Sequence, residues 1–148
     1  MKIEDEIKQQ RFRNAHQKAV INLLYTTSWM QSKQQDFFKP FNITGQQYNI
    51  LRILKGQYPK STSATEIKSR MLDKNSDVSR LLDRLFKKNL IIRQPCPQDK
   101  RAADITLTEP GLELLREVDK KQNQMDHLLQ LTDEEANLLS EMLDRSRG

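Results

Sequence analysis

Cationic side chains occupy one face of a segment that begins near Ser76 and has the apolar spacing of an amphipathic helix. Its apolar residues recur at i, i+3, i+4, i+7 and i+8, and they are Val78, Leu81, Leu82, Leu85 and Phe86. At about 100° per residue, Arg80 and Lys87 project opposite this stripe, with Ser76, Asp83 and Arg84 beside them. A helix about 10–12 Å across fits the DNA major groove, where arginine can pair bidentately with guanine. The segment is therefore a candidate for reading DNA, although the same pattern is also typical of an ordinary surface helix.

A second basic cluster follows at the tip of a predicted β-hairpin. Leu90–Gln94 is rich in β-forming residues and Ala103–Thr108 alternates with a period of two, so these runs predict two paired strands. Between them, Lys100 and Arg101 suit a narrow minor groove, whose negative potential attracts arginine. Asp99 can accept a hydrogen bond from Arg101 and orient it, or the two can form a plain surface ion pair.

Helix signals dominate the rest of the chain. Capping boxes at Thr44–Gln47, Ser63–Glu66 and Thr132–Glu135 predict the N-termini of three helices. Two longer amphipathic runs flank the central region, one from about Glu4 to Gln35 and the other from Thr108 to about Leu129. Each run would span roughly 30 Å as a helix, which is longer than one small core needs. We therefore expect the long helices to bury part of their apolar stripes against a second copy of the chain.

The composition restricts the class of protein. The chain has 148 residues, of which 36% are hydrophobic and 30% charged, and its mean hydropathy is −0.80, so we expect one soluble domain without a membrane span. A single cysteine excludes a disulfide framework, and the polar start Met1–Glu6 lacks a signal-peptide core, so a cytoplasmic location is expected. The net charge is +5 for residues 1–59, +6 for 60–101 and −6 for 102–148. The basic middle section favours a polyanionic partner.

Motifs for catalysis and for metal binding are missing from the sequence. The four glycines form no phosphate-binding loop, and neither His-Glu-x-x-His nor Gly-x-Ser-x-Gly occurs. His16 and His127 have no neighbouring cluster of metal ligands. The sequence thus predicts a protein that is not an enzyme and that carries no metal or cofactor.

Residues 44–115 resemble the winged helix-turn-helix of the MarR (multiple antibiotic resistance regulator) family of bacterial transcription factors. Three stretches carry the resemblance: the run Asn75–Ile91, the wing Pro97–Ala102 with its Asp-x-Arg, and the Leu-Thr-Glu-x-Gly turn Leu107–Gly111. The resemblance implies a mainly α fold with a small β-hairpin wing. It also implies a single domain over 1–148, with an N-terminal dimerisation helix in 1–40, a DNA-binding lobe in 44–108 and C-terminal dimerisation helices in 109–148.

The resemblance further implies which residues meet DNA. From the recognition helix they are Ser76, Asp77, Ser79, Arg80, Arg84 and Lys87, of which Arg84 matches a position that often braces the wing or a phosphate. From the wing they are Asp99, Lys100 and Arg101, and the implied phosphate contacts are Ser61, Thr62, Ser63 and Lys74. Asn89 stands where the family pattern usually has glycine, and asparagine tolerates the left-handed conformation that ends a helix.

The implied function is a ligand-responsive repressor that acts as a homodimer on a pseudo-palindromic double-stranded operator. A candidate cleft for a small-molecule effector involves His16, Tyr25, Trp29 and Tyr48, whose alternative role is plain core or interface packing. Cys96 lies outside the first helix, where the family's peroxide sensors carry their reactive cysteine, and is expected to be incidental. The alternative function is a winged-helix module that binds protein and has no specific DNA site.

Overall fold

A computed structural model of the chain describes residues 1–96 and 98–148, with backbone alone for residues 96 and 99–102. Three strands form one antiparallel sheet in the order β1-β3-β2. The predicted class, mainly helical with a small β wing, is confirmed. The helices are α1 (Ile3–Glu6), α2 (Ala15–Phe38), α3 (Gly45–Gln57), α4 (Ala64–Arg70), α5 (Val78–Lys87), α6 (Glu109–Asp119), α7 (Asn123–Asp126) and α8 (Asp133–Ser146), and the strands are β1 (Thr62–Ser63), β2 (Ile91–Cys96) and β3 (Asp99–Leu107).

The sheet contains one strand more than the sequence predicts. β1 pairs with β3 through Thr62 opposite Ile105 and Ser63 opposite Asp104. Two residues are too few for a period-2 pattern, so β1 has no signal of its own in the sequence. Pro95 lies within β2, where its missing N–H is tolerated because β2 is an edge strand of the sheet.

The core lies between α3, α4, α5, α6 and the sheet. Its fully buried side chains come from each of these elements and include Ile50, Leu51, Leu54, Ile67, Leu85, Ile91, Ile105, Leu115 and Val118. The apolar stripe of α5 supplies Val78, Leu81, Leu82 and Leu85 to this core. One side of α5 is thereby fixed in the protein, and the opposite side is left for solvent or a partner.

The predicted long N-terminal helix is interrupted. Lys8 has a left-handed φ of 55°, which no helix continues through, and Asn14 begins α2 by accepting a hydrogen bond from the Gln17 N–H at 2.8 Å. The short α1 folds back on α2, where Glu4 pairs with Lys18 and the Tyr25 hydroxyl donates to Glu6 at 2.7 Å. The prediction of one helix from Glu4 to Gln35 is therefore wrong at its start.

The predicted long C-terminal helix is interrupted as well. After Asp119 the chain makes tighter turns, in which the Lys121 N–H donates to the Val118 carbonyl at 2.9 Å and the Gln122 N–H donates to that of Asp119 at 3.3 Å. Lys120–Asn123 contains neither glycine nor proline, so nothing in the local sequence marks this break. Within the described residues, no helix is both long and apolar enough to cross a membrane.

A compact junction joins the end of α5 to the start of α6. Asn89 is left-handed at φ 60°, as predicted, and the N–H groups of Asn89 and Leu90 donate to the carbonyls of Phe86 and Leu85 at 3.0 and 3.1 Å. These two bonds close a Schellman motif, which ends α5 and turns the chain into β2.

Thr108 and Gly111 complete this junction from the α6 side. The Thr108 hydroxyl accepts from the Gly111 N–H at 3.0 Å, which caps α6, and donates to the Asn89 carbonyl at 2.7 Å. A Cβ on Gly111 would lie 2.3 Å from the Leu90 carbonyl oxygen. The Leu-Thr-Glu-x-Gly turn is thus explained by one cap and one close backbone approach.

Replacing Gly111 by alanine should lower the free energy of unfolding by about 1–3 kcal/mol or more, because the new methyl group meets backbone that cannot swing aside. The control is Gly56→Ala in α3, where a Cβ meets nothing within 4 Å and the gain in helix propensity is about 0.5–1 kcal/mol. Urea denaturation of both variants measures the difference. Equal stability of the two would contradict the close approach.

Candidate DNA interface

The face of α5 opposite the core carries a row of exposed polar side chains. Ser79, Arg80, Arg84 and Lys87 are all exposed on it, in the region where the sequence predicted them, while Val78, Leu81, Leu82 and Leu85 of the apolar stripe are buried. In the part of the chain that the structure describes, the three cations of this row form no ion pair with a carboxylate. Among the described side chains, these charges therefore face outward without a carboxylate partner.

The N-terminus of α5 is organised differently from the prediction. Asp77 is exposed and caps the helix by accepting from the Arg80 N–H at 3.1 Å. Ser76 is only 4% exposed, and its hydroxyl accepts from the Gln46 side chain at 3.3 Å. The predicted position of Ser76 on the outer face is therefore wrong, because the turn before α5 folds under the N-terminus of α3.

Phe86 departs from its predicted position, and the edge of α5 beside it contacts the hairpin. Phe86 was expected in the core stripe but is 47% exposed, and the Arg93 guanidinium lies 4.5 Å from its ring centroid. Arg93 forms an ion pair with Asp83 on the same edge of α5. Asp83 therefore makes a contact that braces the hairpin, and Arg84 lies about 100° further around the helix. A contact with the wing or with a phosphate stays the prediction for Arg84.

The four predicted phosphate contacts have different environments. Thr62 is only 5% exposed within β1, so its predicted contact with DNA is wrong. Ser63 caps α4 by accepting from the Glu66 N–H at 3.1 Å, but the Glu66 carboxylate pairs with Arg70 instead of closing the predicted capping box. Ser61 is exposed, and Lys74 is exposed with its ammonium group bonded to the Ser69 carbonyl.

The predicted wing residues lie at the start of β3. Backbone geometry extends β3 through Asp99, Lys100 and Arg101, and a register shift interrupts β2 between Pro95 and Cys96. The side chains of residues 96 and 99–102 are outside the described part of the structure. The roles of the three wing side chains in DNA binding, and the incidental role of Cys96, therefore stay predictions.

A groove of about 1260 Å³ separates the C-terminal end of α2 from α3, the turn before α5 and the α6–α7 junction. Tyr48 lines this groove, whereas His16, Tyr25 and Trp29 do not. These three precede the stretch of α2 that borders the groove, which begins at Gln31. Of the four residues predicted to line an effector cleft, Tyr48 lies in this groove, and a shared cleft for all four stays a prediction.

Tyr48 connects α3 to the break in the C-terminal helices. Its hydroxyl donates to the Gln122 side-chain carbonyl at 3.0 Å, and its ring centroid lies 4.7 Å from that of Phe38. Burial of the hydroxyl raises the pKa of Tyr48 above its ordinary value, so it remains a neutral donor. Arg52 and Asp119 add an exposed ion pair of 3.4 Å between the same two parts of the fold.

Sequence reasoning missed Lys88 as a structural residue. Its ammonium group donates to the Asn42 carbonyl and, at 3.3 Å, to the Gln47 side chain, so it ties the end of α5 to the start of α3. Desolvation, together with the nearby charge of Arg84, lowers the pKa of Lys88. Lys88 continues a run of exposed polar residues, and no local pattern distinguishes it from its neighbours.

These features define a class of protein. Three helices, of which the last presents cations away from the core, are followed by a β-hairpin, and this arrangement is a winged helix-turn-helix. Comparison with known proteins supports the same class. The MarR family model matches residues 43–103. The HTH-type transcriptional regulator PecS of Dickeya dadantii is 28% identical over 130 residues, which cover 85% of this chain and 78% of PecS.

Solved structures extend the similarity to nearly the whole chain. A MarR transcription factor from Planctomyces limnophilus is 31% identical and superposes with a TM-score of 0.70 over 93% of this chain and 98% of that one. The S. aureus MepR–DNA complex is 25% identical, with a TM-score of 0.77 over 92% of this chain and 97% of MepR. The chain belongs to the MarR family and is a DNA-binding transcriptional regulator rather than an enzyme.

Replacing Asp77 by alanine should lower the free energy of unfolding by about 1 kcal/mol, because the first turn of α5 loses its cap. Asp77→Asn keeps an acceptor of the same shape and should retain most of the stability. Urea denaturation of the two variants distinguishes capping from a role in DNA contact alone. If asparagine were as destabilising as alanine, the capping role would be rejected.

Proposed function

We propose that the protein is a homodimeric repressor that places α5 of each protomer in the major groove of a pseudo-palindromic operator. The observation that carries this proposal is the outward row of Arg80, Arg84 and Lys87 on a helix whose other face is locked into the core. Such a helix can dock without rearranging, and its cations find partners in phosphates and guanine edges. Ser79, between the helix cap and Arg80, is small enough to allow close approach.

Dimerisation is supported by apolar surface that the single chain leaves uncovered. On α2, a helix of 24 residues with Phe38 as its buried residue, Val20 and Leu24 are 57% and 66% exposed. On α8, which buries no residue, Leu138 and Met142 are 56% and 49% exposed. We propose that residues 1–40 and 109–148 cover these faces against a second copy, with 44–108 as the DNA-binding lobe.

An effector response is supported by the position of the groove. Gln46 and Asn49 line it, and the same side chains hold the turn before α5: Gln46 donates to Asp73 and Ser76 at 3.3 Å, and Asn49 accepts from the Leu72 N–H at 2.9 Å. A small molecule bound there would compete for these amides and shift α5. Screening small molecules for loss of operator binding tests this part of the proposal, and no response from any compound would argue against it.

The alternative is a winged helix that binds protein. It predicts that no DNA sequence is enriched when purified protein selects from a random double-stranded library. The proposed function predicts a pseudo-palindromic motif with half-sites about 10 bp apart. Enrichment of such a motif therefore decides between the two functions.

Arg80→Ala should weaken binding of the dimer to the selected operator by about 30-fold or more, because a contact of about 1–3 kcal/mol is lost from each of the two recognition helices. The matched control is Arg147→Ala, which removes the same charge from the C-terminal end of the chain, where Arg147 pairs with Asp144. Fluorescence anisotropy measures both affinities, and circular dichroism checks the fold. Equal affinity of the two variants would remove Arg80 from the interface.

Leu24→Glu should convert the dimer to monomer at micromolar concentration, because a carboxylate would be buried in the proposed interface. Light scattering should give twice the chain mass of 17.4 kDa for the unmodified protein and the single chain mass for the variant. Leu72→Glu is the control, since Leu72 is 88% exposed but lies in the turn between α4 and α5. A dimer that survives Leu24→Glu would exclude this face of α2.

A further inference from the structure

Arg93 lies on the core-facing side of the sheet, at the point where the core ends. Residues two apart on a strand share a face, so Arg93 follows the buried Ile91, and its partner across the ladder is the buried Ile105. Beyond Arg93 the exposed Gln94 and Pro95 follow on β2. Arg93 is therefore the first charged residue on a row that is apolar up to that position, and it points toward α5.

Two side chains of α5 receive the Arg93 guanidinium. It lies 4.5 Å from the centroid of the Phe86 ring and forms an ion pair with Asp83. Asp83 and Phe86 are three residues apart, which makes them neighbours on the helix surface, so one planar group can contact both. We call this three-residue arrangement the Arg93 clamp.

The hairpin needs such a support because little else holds its outer part. A two-stranded ribbon is marginally stable alone, and β1 pairs with β3 only at Ile105 and Asp104, close to the core. The register shift between Pro95 and Cys96 interrupts the ladder further out. Among the described residues of the hairpin, Arg93 makes the ion pair to α5.

We propose that the Arg93 clamp is a positioning device that sets the angle between the hairpin and the recognition helix, so that major-groove and minor-groove contacts form together. Arg93 acts here through the wing rather than as a base-reading residue. The inference rests on the proposed DNA-binding function and assigns roles to Asp83 and Phe86 within it. Because the three groups are partly exposed, the clamp biases the hairpin's orientation without being needed for folding.

Asp83→Asn distinguishes the clamp from simple electrostatics, because the two predict opposite changes in operator affinity. The substitution removes a negative charge from the DNA-facing helix, so electrostatics alone predicts tighter binding. Loss of the clamp instead predicts that operator affinity falls by about three- to tenfold, since a hairpin with more orientations forms its minor-groove contacts less often. The charge-matched control is Glu113→Gln on α6, which removes one of the two carboxylates paired with Arg116 and leaves the clamp intact.

Phe86 provides a second, independent arm. Phe86→Tyr keeps the aromatic face for the guanidinium and should retain operator affinity, whereas Phe86→Leu removes it and should act like Asp83→Asn. Hydroxyl-radical footprints report the minor groove directly: Asp83→Asn and Phe86→Leu should lose protection there. If the three residues only stabilised the fold, the variants would lower the free energy of unfolding without a selective loss of minor-groove protection. Urea denaturation measures the free energy of unfolding.

The two proposals fail in different ways. If the unmodified protein selects no operator, the proposed function fails. Amide hydrogen exchange in the free protein then still tests the clamp. The paired segments around Gln94 and Asp104 should exchange faster in Asp83→Asn than in Glu113→Gln. If the operator is bound and Asp83→Asn binds as tightly as Glu113→Gln or more tightly, with an unchanged footprint, the clamp is overturned.

Discussion

The close approach of Gly111 to the Leu90 carbonyl is the constraint on which the DNA-binding lobe depends. At this point the end of α5, the start of β2 and the first turn of α6 meet, and Thr108 bonds to two of the three. The left-handed Asn89 allows the chain to leave α5 and enter the sheet within two residues. Because the hairpin leaves and returns at this junction, its base is fixed relative to the recognition helix.

The helix α5, which ends at that junction, has a buried apolar face and an exposed cationic face. The apolar stripe of α5 fills the core, and its outward cations remain unpaired with carboxylates in the described part of the chain. Two polar contacts join α5 to its neighbours. Lys88, directly after the C-terminal end of α5, donates to the Asn42 carbonyl before α3, and Arg93 of the hairpin pairs with Asp83 on the side of α5. Interactions inside the protein thus use the margins of α5, which leaves the centre of its outer face available to DNA.

The remaining helices have a different physical character from the lobe. α2 and α8 bury almost none of their apolar side chains within the chain, whereas α3 and α6 share the core. Two polar contacts add to that packing, Tyr48 with Gln122 and Arg52 with Asp119. These polar contacts are few and partly exposed, so they can be exchanged for others at small cost. The apolar core to which α3 and α6 contribute does not depend on these polar contacts.

Local patterns in the sequence were sufficient for the elements of the lobe. The stripe of α5 from Val78 to Leu85, the caps at Thr44 and Thr132, and the left-handed Asn89 depend on neighbours within a few residues, and the structure contains them. Tertiary contacts decided the rest. Ser76 is buried by Gln46, which lies 30 residues away, and the strand β1 exists only because β3 pairs with it. The contact of Arg93 with Phe86 likewise joins a strand to a helix of the fold, and the breaks near Lys8 and Lys120 have no marker in the local sequence. Periodicity and capping report local preferences, and partners distant in the chain are chosen only when the core forms.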